Sequence, residues 1–597
     1  MNQQTLLRDA TDLPGWVNAF KASYLETSLG QFIVHGNVHD VVFAQNRSWS
    51  LRAFFDAFFE PGGKLIVHYD PSKGIYFPNA SHAANAARSW VKSGFLSESS
   101  VAPRGMDATS EQMLAEAVNA QVSIERAPDI ALEALEHLLL DANVQVALVI
   151  HYAELIAPAG GGSLPFSERT AAARLHRWSL SETITRGNNV VFMLVDSLPS
   201  LSTRLARNPR VLTLKIALPD VDVRARFVSA LDVDCGTKTG QMLTRASAGL
   251  QLRQIEDIVM GARARESGRR LKISLDELLV HKKQILEQEC QGLIEVVQPG
   301  HDFSDVGGMV QLKGTLMRIA EHVLAGRRTQ VPMGILCVGP MGTGKTFLAE
   351  AFAKESGLST VKLKNFRDRW VGSTEANLEK VLNVIEALGE ILVIIDEGDR
   401  SVGGGSDSDG GVNSRVIARL KEFMSDTSHR GRIIFMMMTN RPDKLDTDMK
   451  RPGRFDLKIP FFVPQSAQER ALITRAVIRR NDITARLNDE KLEQLLQRAE
   501  AYSAAELEAV ALLAYDDVMA DAEGEDDRPT LTLKYLENAL ADFMPTRETK
   551  MIEYMEWLAI SEASNRRLLP ERFKDITVEE LQSNLHRSRL SLSQQKL

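Results

Sequence analysis

The chain has 597 residues, too many for one hydrophobic core, so three or four domains are expected. Its 44% hydrophobic and 25% charged residues are ordinary for a globular protein, and a net charge of −7 gives no general attraction for nucleic acid or an anionic membrane. Cys235, Cys290 and Cys337 are far apart and form no CxxC pair or metal spacing, which fits a reducing compartment. Met1 to Asp9 contains no apolar core ahead of a cleavage site, and no apolar run approaches the length needed to cross a bilayer. A cytoplasmic protein without a membrane partner is the expectation.

In the first half, the stretches 31–37, 64–74, 146–154, 190–197 and 211–216 read as strands. Helical stretches, notably 130–141 and 170–185, lie between several of them. Continuous apolar strands alternating with helices point to an α/β fold with a parallel sheet buried on both faces. The turns that follow these strands carry little chemistry. Neither Gly36-Asn37-Val38-His39-Asp40 nor Asp70-Pro71-Ser72-Lys73-Gly74 fits the phosphate-loop pattern G-x-x-x-x-G-K-[ST], and the third strand ends in His151-Tyr152 rather than paired acids. Asp196-Ser197 closes the fourth strand. Cys337, further on, is read as a small buried hydrophobe and the histidines near strand ends as structural.

The second half opens after a linker, 291–304, on Asp305-Val306-Gly307-Gly308. The run 334–338 is then followed by Gly339-Pro340-Met341-Gly342-Thr343-Gly344-Lys345-Thr346 and a helical stretch. This is strand, glycine turn, helix, with the phosphate-loop pattern at the turn. Glycines let backbone N–H groups point inward around a triphosphate at a helix N-terminus that already favours anions. Lys345 would reach the terminal phosphates, and the Thr346 hydroxyl would ligate Mg2+. The run 391–395 ends in Asp396-Glu397, delivering two carboxylates to the sheet edge where ligands of such sheets bind. Asp396 would hold the metal shell and Glu397 would act as general base on a water molecule. The third apolar run, 432–438, ends in Thr439-Asn440, whose amide is suited to orienting that water. Arg451-Pro452-Gly453-Arg454 makes a stiff turn suited to presenting guanidinium groups to a neighbouring subunit.

These motifs, in this order, resemble the protein-remodelling clade of AAA ATPases over about 300–545. The resemblance implies tandem parallel-sheet P-loop NTPase (AAA) cores with small helical lids. It divides the chain into a degenerate AAA-like domain at 1–290 with its own lid from about 221, the linker, a large domain at 305–466, a lid at 467–545 and a helical extension at 546–597. By that match Asp305, Val306 and Gly307 border the adenine of ATP, Asn440 is a sensor, and Arg451 and Arg454 are arginine fingers. Tyr502-Ser503-Ala504-Ala505-Glu506 resembles the lid helix start that brings Ser503 and Ala504 to the nucleotide. Two departures are visible: Met341 where a second proline is usual, and Gly398 where a larger residue is common. The first half resembles the family by topology alone, and Ala248 to Glu256 looks like a lid helix start; it is expected to act as scaffold or partner platform rather than to hydrolyse ATP.

Arg369-Trp370-Val371-Gly372 resembles the segment that lines the central pore of such rings, where an aromatic face grips extended polypeptide through apolar contact area. Gly403 to Gly411, where a second pore loop would lie, is of solvated composition. The expectation is an ATPase using ATP and Mg2+, working as a hexameric ring that remodels or unfolds a protein substrate. Two alternatives stand beside it: an ATP-dependent assembly factor for one dedicated partner complex without threading, and a nucleic-acid-dependent motor, against which no basic stripe or helix-turn-helix counts.

Overall fold

Two six-stranded sheets organise the molecule, each assembled from apolar runs too continuous to leave either face in water. The computed structural model describes residues 7–594 apart from 27–28, 97–126, 161–163, 232–236, 266–274, 365–373, 399–411, 522–528 and 546–547. Contacts divide the chain into two units, 1–284 with 375–387 and 285–374 with 388–597.

In the first unit the strands stand in the order Gly74–Tyr76, Leu65–Asp70, Val146–Ile150, Val190–Val195, Gln31–Gly36, Val211–Ile216. All pairings are parallel except that of Leu65–Asp70 with Gly74–Tyr76. The alternation of a strand's side chains sorts the core. Phe32, Val34, Phe192 and Leu194 face one buried cluster with Phe20, Phe55 and Phe59, while Ile33, Val191 and Met193 face another with Trp90, Leu135 and Trp178. Each such apolar side chain removed from water contributes about 1.5–3 kcal/mol. The expected strands are all present, and two elements were not anticipated. One is the short edge strand Gly74–Tyr76. The other is a hairpin, Val41–Ala44 with Arg47–Ser50, whose two-residue turn Gln45-Asn46 has both φ angles positive, 53° and 54°. That is the backbone twist a right-handed hairpin requires.

The second unit repeats the order: Leu457–Pro460, Gly334–Val338, Ile433–Thr439, Ile391–Ile395, Ser359–Leu363, and an added edge strand Ile294–Val297. The added strand runs antiparallel to Ser359–Leu363. It corrects the expected linker at 291–304, because Ile294-Glu295-Val296-Val297 finds open backbone partners on a sheet edge. Met436, Met437 and Met438 are all buried, as core packing requires. Helices Ala467–Arg480, Asp489–Leu496, Ala504–Asp521 and Leu533–Asp542 enclose a separate apolar core. Thr549–Glu562 then covers the outer strand: the amides of Lys458 and Ser564 exchange hydrogen bonds across this edge, and Glu562 receives both Lys450 and Lys458. An otherwise open sheet edge is thereby closed.

Candidate functional site

The buried strand Gly334–Val338 runs into the glycine loop, and the helix Lys345–Ser356 begins where the loop ends. Gly339 has φ +156°, and a Cβ there would sit 2.2 Å from the Phe461 carbonyl oxygen, so no side chain fits. At Gly342, φ +73°, a Cβ would meet Ser503 Oγ at 2.9 Å. The loop is braced from within by Thr343 Oγ1 donating to Pro340 O at 2.8 Å and by buried Lys345, whose Nζ donates to Gly339 O at 2.9 Å and Pro340 O at 2.5 Å. The Ala505 amide donates to Gly342 O at 3.0 Å, tying the start of a lid helix to the loop. Ser503 itself closes a reciprocal cap with Glu506.

Ile391–Ile395 is wholly buried and ends at the two acids. Asp396 Oδ2 accepts from Thr346 Oγ1 at 3.3 Å and pairs with Lys362 Nζ at 3.0 Å. Glu397 takes φ +47° and its amide donates to Asp396 Oδ1 at 3.0 Å. A left-handed conformation at a residue with a Cβ costs about 1–2 kcal/mol, a strain of the kind that collects at functional positions. The unusual Gly398 has a steric reason, since a Cβ there would lie 2.5 Å from Met437 Sδ. Asn440 follows the buried strand Ile433–Thr439, and its Oδ1 is buried with no hydrogen-bond partner among the described residues. Leaving an acceptor in that state costs about 1–3 kcal/mol, so the position favours a further donor.

These parts meet around a cavity of about 760 Å³. Asp305, Val306, Gly307, Met341, Gly342, Thr343, Gly344, Lys345, Thr346, Asp396, Glu397, Asn440 and Ala504 all line it. Gly339, Pro340 and Ser503 brace the loop without lining the cavity. Arg451 and Arg454 stand apart from it. Arg451 is exposed and pairs with Asp448 at 2.8 Å, while Arg454 is held by Ser425 Oγ and the Asp448 carbonyl. Arg369, Trp370 and Val371, and the glycine-rich stretch 403–411, lie outside the described residues. The hydroxyl of Thr346 beside the Asp396 carboxylate is a hard-oxygen pair of the kind Mg2+ takes. Gly339 and Gly342, where no Cβ fits, leave the loop backbone bare for an anion.

Several lining residues escaped the sequence reading. Phe347, at the start of the loop helix, stacks on His301 with ring centroids 3.8 Å apart and planes 5° apart. Arg480 of the lid lies over the other side of the contact, 4.7 Å from the Phe347 ring, and forms an ion pair with Glu508 from a second lid helix. Lys362 and Lys364 come from the strand Ser359–Leu363 and the residue after it, and Glu295 from the added edge strand. The one hint in sequence was charge inside an apolar run, Val361-Lys362-Leu363-Lys364.

The corresponding edge of the first unit is built differently. Its cavity is about 170 Å³, below the roughly 300–1,000 Å³ of small-molecule sites. Asp40 accepts from Asn37 Nδ2, from its neighbour Val41 N, and from Leu252 N and Arg253 N at the start of Leu252–Arg265. A side-chain carboxylate thus takes the helix N-terminus that could otherwise receive an anion. His39 Nε2 lies 2.6 Å from Asp196 Oδ1, which raises the imidazole above its ordinary range and lowers the acid. His151 sits 3.1 Å from His68, which in turn bonds Asp56 at 2.7 Å. Burial, with the adjacent His68, pushes His151 down to about 4.

Comparison with known proteins finds a separate match in each half of the chain. Residues 7–217 match the AAA+ chaperone N-terminal Rossmann-like domain, and residues 335–463 match the ATPase family associated with various cellular activities (AAA). A cell division cycle protein 48 homolog of Archaeoglobus fulgidus is 28% identical over 309 residues, 48% of this chain and 41% of that protein. An ATPase family protein 2 homolog of Caenorhabditis elegans is 30% identical over 286 residues, 46% of this chain and 38% of the relative. The peroxisomal ATPase PEX6 of Candida glabrata is 31% identical over 204 residues, 32% of this chain and 20% of the relative. The chain therefore spans about two fifths or less of the length of these relatives. Among the described residues, no helix is long and apolar enough to cross a membrane.

Proposed function

We propose that this chain, which belongs to the AAA family of ATPases, hydrolyses ATP in its second unit and uses the energy to remodel a protein substrate. The observation that carries the reading is the convergence on one lid-roofed cavity of the glycine loop, two carboxylates and Asn440, whose Oδ1 has no partner among the described residues.

Lys345, Gly342, Gly344 and the loop amides would bind the phosphates, and Asp305 to Gly307 with Phe347 would receive the base. Thr346 Oγ1 and Asp396 Oδ2 would hold Mg2+, which when bound neutralises charge on the phosphate oxygens. Glu397 would take the proton of the attacking water on its carboxylate, and the Asn440 side-chain amide would orient that water. The Ala505 to Gly342 hydrogen bond couples the lid to the loop, so changes at the phosphates reach the lid helices directly. Arg451 and Arg454 lie away from their own cavity, which supports their acting on a neighbouring subunit and so supports a ring, in keeping with a hexamer.

Pore threading rests on the Arg369-Trp370-Val371 pattern. The names of two relatives point toward cell-division and peroxisomal proteins, and here they support protein remodelling in general rather than either pathway. The test has two arms. Lys345→Ala is expected to abolish ATP binding and turnover. Trp370→Ala is expected to keep basal turnover while losing its stimulation by unfolded protein; a Trp370→Ala ring still stimulated like the parent would remove threading and leave the dedicated assembly factor.

A further inference from the structure

A lysine on the metal-binding carboxylate is not part of the reading above. Lys362 projects from the strand Ser359–Leu363, lines the cavity, and places Nζ 3.0 Å from Asp396 Oδ2. That is the same oxygen that Thr346 Oγ1 approaches at 3.3 Å. Glu295, another acid lining the cavity, is engaged by Lys364 at 3.3 Å, while Lys362 pairs with Asp396. Both partners are less than a third exposed, which leaves their attraction only partly screened.

We propose that Lys362 is a positioning residue that acts through Asp396 and sets the Mg2+ dependence of nucleotide binding. The proposal rests on the ATP-binding reading of this cavity. With the ammonium on Oδ2, the carboxylate is neutralised without metal, and the phosphates of an incoming nucleotide do not meet a bare negative charge. The same ammonium opposes a divalent ion at that oxygen, because two cations compete for one anionic partner. Lys362 thus makes metal-free nucleotide binding stronger and metal capture weaker than the donor set alone would give.

The experiment measures the affinity of the full chain for N-methylanthraniloyl-ADP by fluorescence, in EDTA and across a Mg2+ titration. Lys362→Met is expected to lose about tenfold in affinity in EDTA and to lower the half-saturating Mg2+ several-fold, the effects of removing one nearby unit charge. Lys362→Arg, which keeps the charge, is expected to restore the EDTA affinity. A Lys362→Met protein with an unchanged ratio of Mg2+ to EDTA affinity overturns the assignment. So does one that loses binding equally under both conditions, since Lys362 would then contact the nucleotide itself. A parent chain that binds no N-methylanthraniloyl-ADP in either condition, or a Lys345→Ala chain that binds it as the parent does, overturns the nucleotide reading and this proposal with it.

Discussion

The two sheets share one strand order and end their central strands in one way, yet present opposite chemistry at their C-terminal edges. After Ile391–Ile395 comes Asp396, then Glu397 in the left-handed region at φ +47°. After Val146–Ile150 comes His151, then Tyr152 in the same region at φ +53°. The backbone bend is kept while both acids are replaced. After the strand that carries the phosphate loop in the second unit, the first unit inserts a hairpin and directs Asp40, an internal anion, at a helix N-terminus. Position in a fold therefore says where a ligand could bind, and side chains decide whether it does.

The sharpest way to break this contrast is to show that the second edge does not work alone or in a ring. Arg451→Ala is expected to lower turnover by about 10³-fold or more if its guanidinium stabilises transition-state charge. The exposed Arg451 side chain forms an ion pair with Asp448, itself a surface residue, so the loss should come without unfolding. Glu397→Gln should lower turnover by about 10²–10⁴-fold while ATP still binds. Mixing the two inactive proteins tests the direction of the contact. Rings containing both should regain hydrolysis, because an intact Arg451 on one subunit then faces an intact Glu397 on the next. A mixture as inactive as its parts would mean that Arg451 acts within its own subunit rather than across an interface.

How much of this was legible in sequence follows from how local each feature is. Gly339 to Thr346, Asp396-Glu397 and Asn440 each follow a run of buried residues, so composition and position sufficed. The stack of His301 on Phe347 under Arg480 joins three distant segments, and no short window contains it. Ile294–Val297 was hidden for another reason: four residues after a glycine turn read as linker until a sheet edge supplies their partners. The hairpin at 41–50 has Gln45-Asn46 at its turn, a cue weaker than the Asn-Gly pair that usually marks such turns. Asp40 looked like a loop residue because two of the amides that it accepts from, those of the helix it caps, lie more than two hundred positions away.

Asp40 gives a test of the first edge. Asp40→Ala strips the cap from Leu252–Arg265, at a cost of about 1–2 kcal/mol. Amide exchange in that helix should accelerate by roughly tenfold, a factor equal to about 1.4 kcal/mol. Nucleotide binding by the whole chain should not increase, since the small cavity gains neither a glycine cradle nor a lysine. A second bound nucleotide in the Asp40→Ala protein would mean that this carboxylate alone had been closing the site.

The smallest expected effects are in the pH dependence of the first unit, and its histidines work in opposite senses. His151 is held near 4 when folded but titrates near 6.5 when unfolded, so between those values the unfolded chain binds more protons. Stability should therefore fall as pH drops from 6.5 toward 4, and His151→Gln should flatten that slope. His39 is raised by its hydrogen bond to Asp196, so its contribution is fully present below pH 6.5 and fades as pH climbs through its raised value. Because its side chain is 56% exposed, that contribution should stay within about 1 kcal/mol. His39→Gln should accordingly be less stable than the parent at pH 6 and nearly equal to it at pH 8 in denaturant titrations. An equal deficit at both values would mean that His39 supports this edge by packing on Tyr152 rather than by charge.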